Sequence, residues 1–247
     1  MTNFKRIPFR LSLKSIIGIL DLILSELFYS LKRKLGIVLS KEEELSKFIL
    51  SNEVDSDSQS ILDAMDQFGW KKGFLMNVGE EKGLILEGVI KETNAKRVLE
   101  LGVYMGYSTI RIANCLKESG QVTSIELNKS FLNKATEHIR KSGLFNKVEL
   151  IHAKASQAIT SLEGKFDVIF IDHWKDMYLQ DLKLIEEHNL MKHGTRVVAD
   201  NITMFNSDEY LQYVRNNENY ESKYYPAKRE YSRIHPDGVE ISTYILD

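Results

Sequence analysis

The chain of 247 residues is poor in cysteine, proline and glycine, and it has no surplus of charge of either sign. One cysteine, Cys115, excludes an intramolecular disulfide framework and a multi-cysteine zinc site, and it suits a reducing compartment. Three prolines and 14 glycines exclude collagen-like and proline-rich classes. With 33 basic against 35 acidic residues the formal net charge is −2, so no basic excess marks a surface built for nucleic-acid phosphates. What the chain does have is 43% hydrophobic and 28% charged residues, enough to bury one sizeable core and unlike a disordered protein.

The charge is unevenly spread. Within residues 1–40, Lys5, Arg6, Arg10, Lys14, Lys32, Arg33 and Lys34 face only Asp21 and Glu26, so this arm is basic and the remainder acidic. Between Lys14 and Lys32 runs the apolar segment SIIGILDLILSELFYSL, and Lys14, Gly18, Asp21 and Ser25 form a narrow polar stripe at helical spacing. A bilayer span needs about 20 mostly apolar residues, and a central Asp costs about 3 kcal/mol to insert. The segment is short and interrupted for that task. Its basic ends suit anionic headgroups, so residues 11–34 are expected either to lie in one leaflet as an interfacial helix or to pack on the body or on a second subunit. No small-residue cleavage site follows the apolar run, which argues against a secretory signal. The reading is therefore an arm, 1–40, and a folded domain, 41–247, in the cytoplasm, with the arm as a route to a membrane surface.

From Lys41 the pattern is that of helices and strands. KEEELSKFILSN and SQSILDAMDQFGW read as amphipathic helices, and a third spans about Glu80 to Thr93, after the loop MNVG. Strands RVLEL (97–101), QVTSIE (121–126), KVELIH (147–152), KFDVIFID (165–172) and TRVVAD (195–200) then alternate with helices at 108–117, at 129–142, from Ser156, and at 176–191. Such alternation, with strands rich in Val, Ile and Leu, predicts an α/β fold with a mostly parallel sheet covered by helices on both faces. YESKYYPAKREY and VEISTYIL, joined by the turn sequence His235-Pro-Asp-Gly238, add an antiparallel hairpin at the edge and bring the sheet to seven strands.

In open α/β sheets ligands bind outside the carboxyl ends of the strands. The first such end reads Glu100-Leu-Gly102-Val-Tyr104-Met-Gly106-Tyr-Ser108, with glycines spaced GxxxG rather than the GxGxxG that brings a pyrophosphate to a helix N-terminus. The second ends in Glu126, where an acid could accept hydrogen bonds from both ribose hydroxyls. Together they suggest an adenosine moiety without a diphosphate; alternatively, the glycines relieve crowding and the acid is solvated. Asp172-His-Trp-Lys175 after one strand and Asp200-Asn201 after the next offer two carboxylates and an amide oxygen to one hard cation such as magnesium. Asp172 and Asp200 would otherwise be helix N-caps. His173 has no second His or Cys at a ligand spacing, so zinc is not expected.

At these residues the chain resembles the catechol O-methyltransferase family. The likeness runs over about residues 41 to 247, through SQSILDAMD, Met76-Asn-Val-Gly-Glu-Glu-Lys-Gly83, VLELGVYMGYS, Ala155-Ser-Gln157, DHWKDMY, ADN and Glu230-Tyr231. It implies a Rossmann-like class I methyltransferase that moves the methyl of S-adenosylmethionine to one hydroxyl of a small catechol, with Mg²⁺ required. By that resemblance Asp172, Asp200 and Asn201 are the metal ligands. Glu126 holds the ribose, with Leu127 beside it, and Ser156 and Gln157 lie by the adenine. Val78, Glu100, Gly102, Tyr104, Ser108, Asp172 and His173 line the rest of the cofactor site. Lys175 is the general base, Glu230 binds the second hydroxyl, and Phe74, Met76, Trp174, Asp172 and Asn201 contact the catechol. The chemistry agrees: Mg²⁺ on both oxygens would lower the pKa of a hydroxyl, and neighbouring positive charge would favour the neutral lysine that a base must be.

Three positions depart from the family pattern. Phe74 stands where the family commonly has tryptophan, Phe205 where it has a loop proline, and Arg229 where it has an apolar residue. An arginine at the rim predicts a preference for acidic catechols such as dihydroxybenzoic or caffeic acid; its other reading is a salt bridge to a surface acid. Two further functions compete: a methyltransferase for a larger caffeoyl-type acceptor, and a membrane-tethered interaction protein with vestigial catalysis.

Overall fold

The computed structural model describes residues 39–203 and 207–246. Segment 11–34 and Phe205 lie outside the described residues. Among the described residues no helix is long and apolar enough to cross a membrane.

Among the described residues three helices precede the first strand: α1 Lys41–Leu50, α2 Ser58–Lys72 and α3 Gly79–Glu92. Glutamates 42, 43 and 44 oppose the helix dipole in the first turn of α1, and the Asp57 carboxylate caps α2 by accepting the Ser60 N–H at 2.9 Å. The chain then alternates: β1 Arg97–Leu101, α4 Tyr107–Cys115, β2 Gln121–Glu126, α5 Lys129–Lys141, β3 Val148–His152, α6 Ala155–Ile159, β4 Val168–Ile171, α7 Tyr178–Glu187 and β5 Arg196–Ala199. Helix α8, Asp208–Asn216, leads into strands β6, Tyr220–Lys228, and β7, Pro236–Tyr244.

The sheet order is β3-β2-β1-β4-β5-β7-β6; the first five strands run parallel, and β7 is antiparallel to both β5 and β6. Alternate residues of one strand serve opposite layers. Val98, Val122, Val168, Phe170 and Val198 pack with α1–α5, whereas Leu99, Leu101, Ile125, Ile169, Ile171 and Val197 pack with α6–α8. Burial on both faces explains why the central strands read as apolar runs. Half-buried Cys115 packs against the first of these clusters, as a small core residue would.

The structure corrects several expected boundaries. Strand β4 is shorter than 165–172, because the Asp167 carboxylate accepts the Lys96 and Arg97 N–H groups at 2.7 and 2.9 Å. The helix expected over 176–191 is Tyr178–Glu187, entered by a 3₁₀ turn over Lys175–Met177. Helix α8 was not expected; only Tyr210 and Val214 of its nine residues are buried, so its apolar signal is thin. The hairpin does not turn at His235-Pro-Asp-Gly238. Pro236 pairs with Lys228 as the first residue of β7, a position that tolerates its missing N–H, and residues 229–235 form the connection, closed by Arg229 N–H to the His235 carbonyl at 3.0 Å.

Candidate active site

Because β1 to β5 are parallel, their carboxyl ends deliver Gly102, Glu126, Asp172 and Asp200 to one edge of the sheet. Glu100, the fourth residue of β1, is wholly buried; the Thr109 and Ser124 hydroxyls each donate to its Oε2 at 2.6 Å, and its Oε1 has no partner. Burial pushes its carboxyl up to about 7 despite these hydrogen bonds. Gly102 has φ of 100°, and a Cβ there would lie 2.4 Å from the Asp172 carbonyl oxygen, so glycine lets the ends of β1 and β4 meet. Glu126 clamps the glycine loop: its Oε2 accepts the Val103 and Tyr104 N–H groups at 3.1 and 2.9 Å, and its Oε1 the Asn128 N–H at 2.7 Å. The crowding role of Gly102 is thus visible, and Glu126 is an anchored acid rather than a solvated one. Ser108 is buried in the first turn of α4. Leu127 is exposed beyond β2, its carbonyl bonded by His152 at 3.0 Å, and Ser156 and Gln157 open α6 past β3. Val78 is buried at the start of α3.

A second cluster forms where β4, β5, α3 and the hairpin connection meet. Neither Asp172 nor Asp200 caps a helix, because the following elements are capped at Trp174 and Ser207. The Lys175 Nζ lies 3.6 Å from Asp172 Oδ1 and donates to Asn201 Oδ1 at 3.2 Å and to the Tyr178 hydroxyl at 2.6 Å. Tyr178, fully buried, donates in turn to the Asp200 carbonyl at 3.3 Å. Asn201 adopts a positive φ of 51°, and its Nδ2 donates to Glu230 Oε2 at 3.3 Å and to Asp237 Oδ2 at 2.8 Å. Under all of this sits Lys82, on the inner face of α3, whose Nζ donates to Asp200 at 2.9 Å, Glu230 at 3.0 Å and Asp237 at 2.8 Å.

The electrostatics follow from crowding acids in the interior. Burial raises Asp172 and lifts Asp200 well above its ordinary value, the neighbouring carboxylates adding repulsion that Lys82 and Lys175 only partly offset. Burial opposes the charge on Lys82, yet its three carboxylates outweigh that and hold its pKa well above the usual lysine range. Burial would raise Asp237 too, but the charge of Lys82 and the bonds from Lys82 and Asn201 keep it below its ordinary value.

The rim is apolar and open. Trp174 is 76% exposed and Met76 52% exposed, with Phe74 half-buried. The Arg229 guanidinium lies over the Phe74 ring at 6.0 Å and donates to His235 Nδ1 at 3.2 Å, while its Nε is buried without a partner. Among the described residues Arg229 pairs with no acid, so the surface salt bridge is not found. His173 turns its Nε2 to Asp181 at 2.6 Å and stacks on Tyr178.

The structure therefore brings Asp172, Asp200, Asn201, Lys175 and Glu230 into one network, places Glu100, Gly102, Tyr104, Ser108 and Glu126 together at the β1 and β2 ends, and leaves Leu127 and Gln157 on the exposed flank. Among the described residues no three His, Cys, Asp or Glu side chains form a metal-holding group on their own. Two carboxylates and one amide oxygen are nevertheless the hard donors that Mg²⁺ takes. The residues fit it by donor chemistry: Asp200 is wholly buried with its carboxylate 2.9 Å from the Lys82 ammonium, and Asn201 turns its nitrogen to Glu230 and Asp237 and its oxygen to Lys175, which also faces Asp172. The partnerless Glu100 Oε1 likewise fits a cationic or hydroxyl-bearing cofactor. Sequence reasoning missed Lys82, Asp237 and Tyr178; the local signal was that Lys82 stands at helical spacing from Leu86 and Val89, on the face that α3 buries.

The model of a protein family described as O-methyltransferase matches residues 52–223. The catechol O-methyltransferase B of Danio rerio is 37% identical over 211 residues, 83% of this chain and 80% of that protein. The catechol O-methyltransferase of Bos taurus is 35% identical over 217 residues, 86% of this chain and 79% of that protein. Among solved structures, the O-methyltransferase TomG of Streptomyces achromogenes, in complex with SAM, superposes with a TM-score of 0.67 at 20% identity, covering 85% of this chain and 100% of that one. A Rossmann-like sheet with its acids gathered at the strand ends, a family model over most of its length and relatives of this identity all agree: the chain belongs to the O-methyltransferase family and is a methyltransferase.

Proposed function

We propose that the protein transfers the methyl of S-adenosylmethionine to one hydroxyl of a small catechol and that it requires Mg²⁺. The observation that carries this reading is the placement of Lys175 Nζ beside Asp172 Oδ1 and Asn201 Oδ1, with Glu230 bonded to the other end of the same Asn201 amide. A base, a set of hard oxygens and a second acid thus share one network.

Glu100 and Glu126, with Gly102, Tyr104, Ser108 and Val78, would hold the cofactor over the ends of β1 and β2, and Ser156 and Gln157 would flank its adenine. Bound to Asp172, Asp200 and Asn201, Mg²⁺ would supply positive charge that favours the ionised catechol. Lys175 Nζ, steadied by the Tyr178 hydroxyl, takes the proton of the reacting hydroxyl. Glu230 accepts a hydrogen bond from the second hydroxyl, and Trp174, Met76 and Phe74 wall the ring. The acceptor oxygen then bonds the methyl carbon as the sulfur–methyl bond breaks, leaving a neutral thioether. Because this step needs only alignment, most of the rate comes from positioning and charge placement.

The test is mass-spectrometric detection of a monomethylated product from dihydroxybenzoic acid and S-adenosylmethionine, with magnesium, with chelator, and with Lys175→Ala. Product that needs both the metal and Lys175 is the expected result, with a loss of about 10²-fold or more for the variant. Product formed equally in chelator, or by Lys175→Ala, overturns the mechanism. The exposed Trp174 and Met76 favour one second reading, a bulkier caffeoyl-type acceptor, which the same assay reads by substituting a caffeoyl thioester.

A further inference from the structure

Lys82 is a full positive charge in the protein interior, on a helix face that otherwise buries Leu86, Val89 and Ile90. Burying an ammonium is costly unless every donor is matched. Here all three are: one to Asp200, one to Glu230 and one to Asp237. These acids arrive from separate parts of the chain, Asp200 from the end of β5, Glu230 from the hairpin connection and Asp237 from β7.

Asp237 does more than balance charge. Its Oδ2 accepts from Lys82 and from Asn201 Nδ2, both at 2.8 Å, and its Oδ1 accepts from the Thr203 hydroxyl at 2.9 Å. An ionised carboxylate only accepts hydrogen bonds, so the Asn201 amide must face it with nitrogen. The amide oxygen is thereby turned toward Lys175, whose ammonium also lies 3.6 Å from Asp172 Oδ1.

We infer that Lys82 and Asp237 are positioning residues that preset the magnesium site, Asp237 by locking the Asn201 oxygen toward the cation and Lys82 by fixing Asp200 and Glu230 around it. This rests on the magnesium-dependent reading above. Metal ligands are oriented by the groups bonded behind them, and loss of such a group typically weakens the metal by about 10- to 100-fold.

The decisive variant is Asp237→Leu. It fills the space of the carboxylate but offers no acceptor, so the Oδ2 that holds both Lys82 Nζ and Asn201 Nδ2 is gone. Nothing then fixes which end of the Asn201 amide is turned toward the cation. Mn²⁺ binding to the full chain, read by electron paramagnetic resonance, is the measurement, with the dissociation constant for S-adenosylmethionine and the melting temperature as controls. The expected result is a rise of about tenfold or more in the Mn²⁺ dissociation constant, a matching rise in half-saturating Mg²⁺ for turnover, and unchanged S-adenosylmethionine affinity. Thr203→Val, which removes only the exposed anchor of Asp237, should raise the Mn²⁺ constant less, and it decides the matter where Asp237→Leu does not fold. Either folded variant binding Mn²⁺ as the wild type does overturns the inference and leaves the catechol reading standing. Equal weakening of Mn²⁺ and S-adenosylmethionine overturns it too, because that marks general loosening. Wild-type protein that binds no Mn²⁺ overturns the magnesium reading and this inference with it.

Discussion

Arg229 precedes the acid that would hold the second catechol hydroxyl, and its guanidinium covers Phe74 with no acidic partner among the described residues. A half-buried arginine beside Phe74, without an acidic partner among the described residues, favours substrates that carry a carboxylate. Arg229→Ala should lower kcat/KM for dihydroxybenzoic acid relative to a cationic catechol by about fivefold, the worth of about 1 kcal/mol; an unchanged ratio removes Arg229 from specificity. His138 makes a different prediction. Its Nδ1 donates to the Met105 carbonyl at 3.0 Å, which leaves Nε2 to accept from the Ser46 hydroxyl at 3.0 Å, and burial holds its pKa down to about 4. Below about pH 6.5 the unfolded chain takes up a proton that the folded protein refuses. Stability present above that pH is therefore lost as the pH falls toward 4, by about 3 kcal/mol in total. Urea unfolding at pH 7 and pH 4.5 should show a smaller drop for His138→Gln than for the wild type; equal drops would exclude His138 as the source. At this scale Asp172, Asp200 and Asn201 were singled out because each follows a strand end, whereas Lys175 and Glu230 were singled out through the family resemblance. Lys82 was not, since its partners lie 118, 148 and 155 residues away and no local pattern records such a pairing.

The strands were the most legible elements. Arg97–Leu101 and Gln121–Glu126 match their expected spans residue for residue, because their buried Val98, Leu99, Leu101, Val122 and Ile125 are bounded by the turn residues Gly102 and Gly120. Helix α8 escaped notice because a helix that buries two residues has little periodicity to read. The hairpin connection was misplaced because Pro-Asp-Gly is a common turn sequence, whereas here the strand pairing with Lys228, Ala227 and Pro226 claims those residues. The meeting of β1 with β4 yields the test at this scale. Gly102→Ala combines a φ of 100° with a Cβ only 2.4 Å from the Asp172 carbonyl oxygen. It should cost about 1–3 kcal/mol of stability and displace Asp172. Calorimetry with titration of S-adenosylmethionine would show a lower melting temperature together with weaker binding; normal values for both would mean that the two strand ends separate freely.

At the scale of the molecule, the sheet order places β1 at the centre of the parallel strands and inserts β7 between β5 and β6. That insertion carries Asp237 to the acids at the end of β5. It joins a helix that precedes the sheet to a strand that follows all the others, through a single ammonium. A double-mutant cycle of Lys82→Met and Asp237→Leu, measured by chemical unfolding, should give a coupling energy above about 1 kcal/mol, because either change alone leaves buried charge unmatched. Additive effects would show the two sites to be independent. A lineage drifting through sequence space would meet that same coupling as a barrier. The first exchange at any of these four positions strands a charge, so the knot of one lysine and three acids closes single-step paths across it. New acceptor preferences are then reached by way of the rim, at places such as Phe74 and Arg229, where a lone exchange leaves the knot untouched.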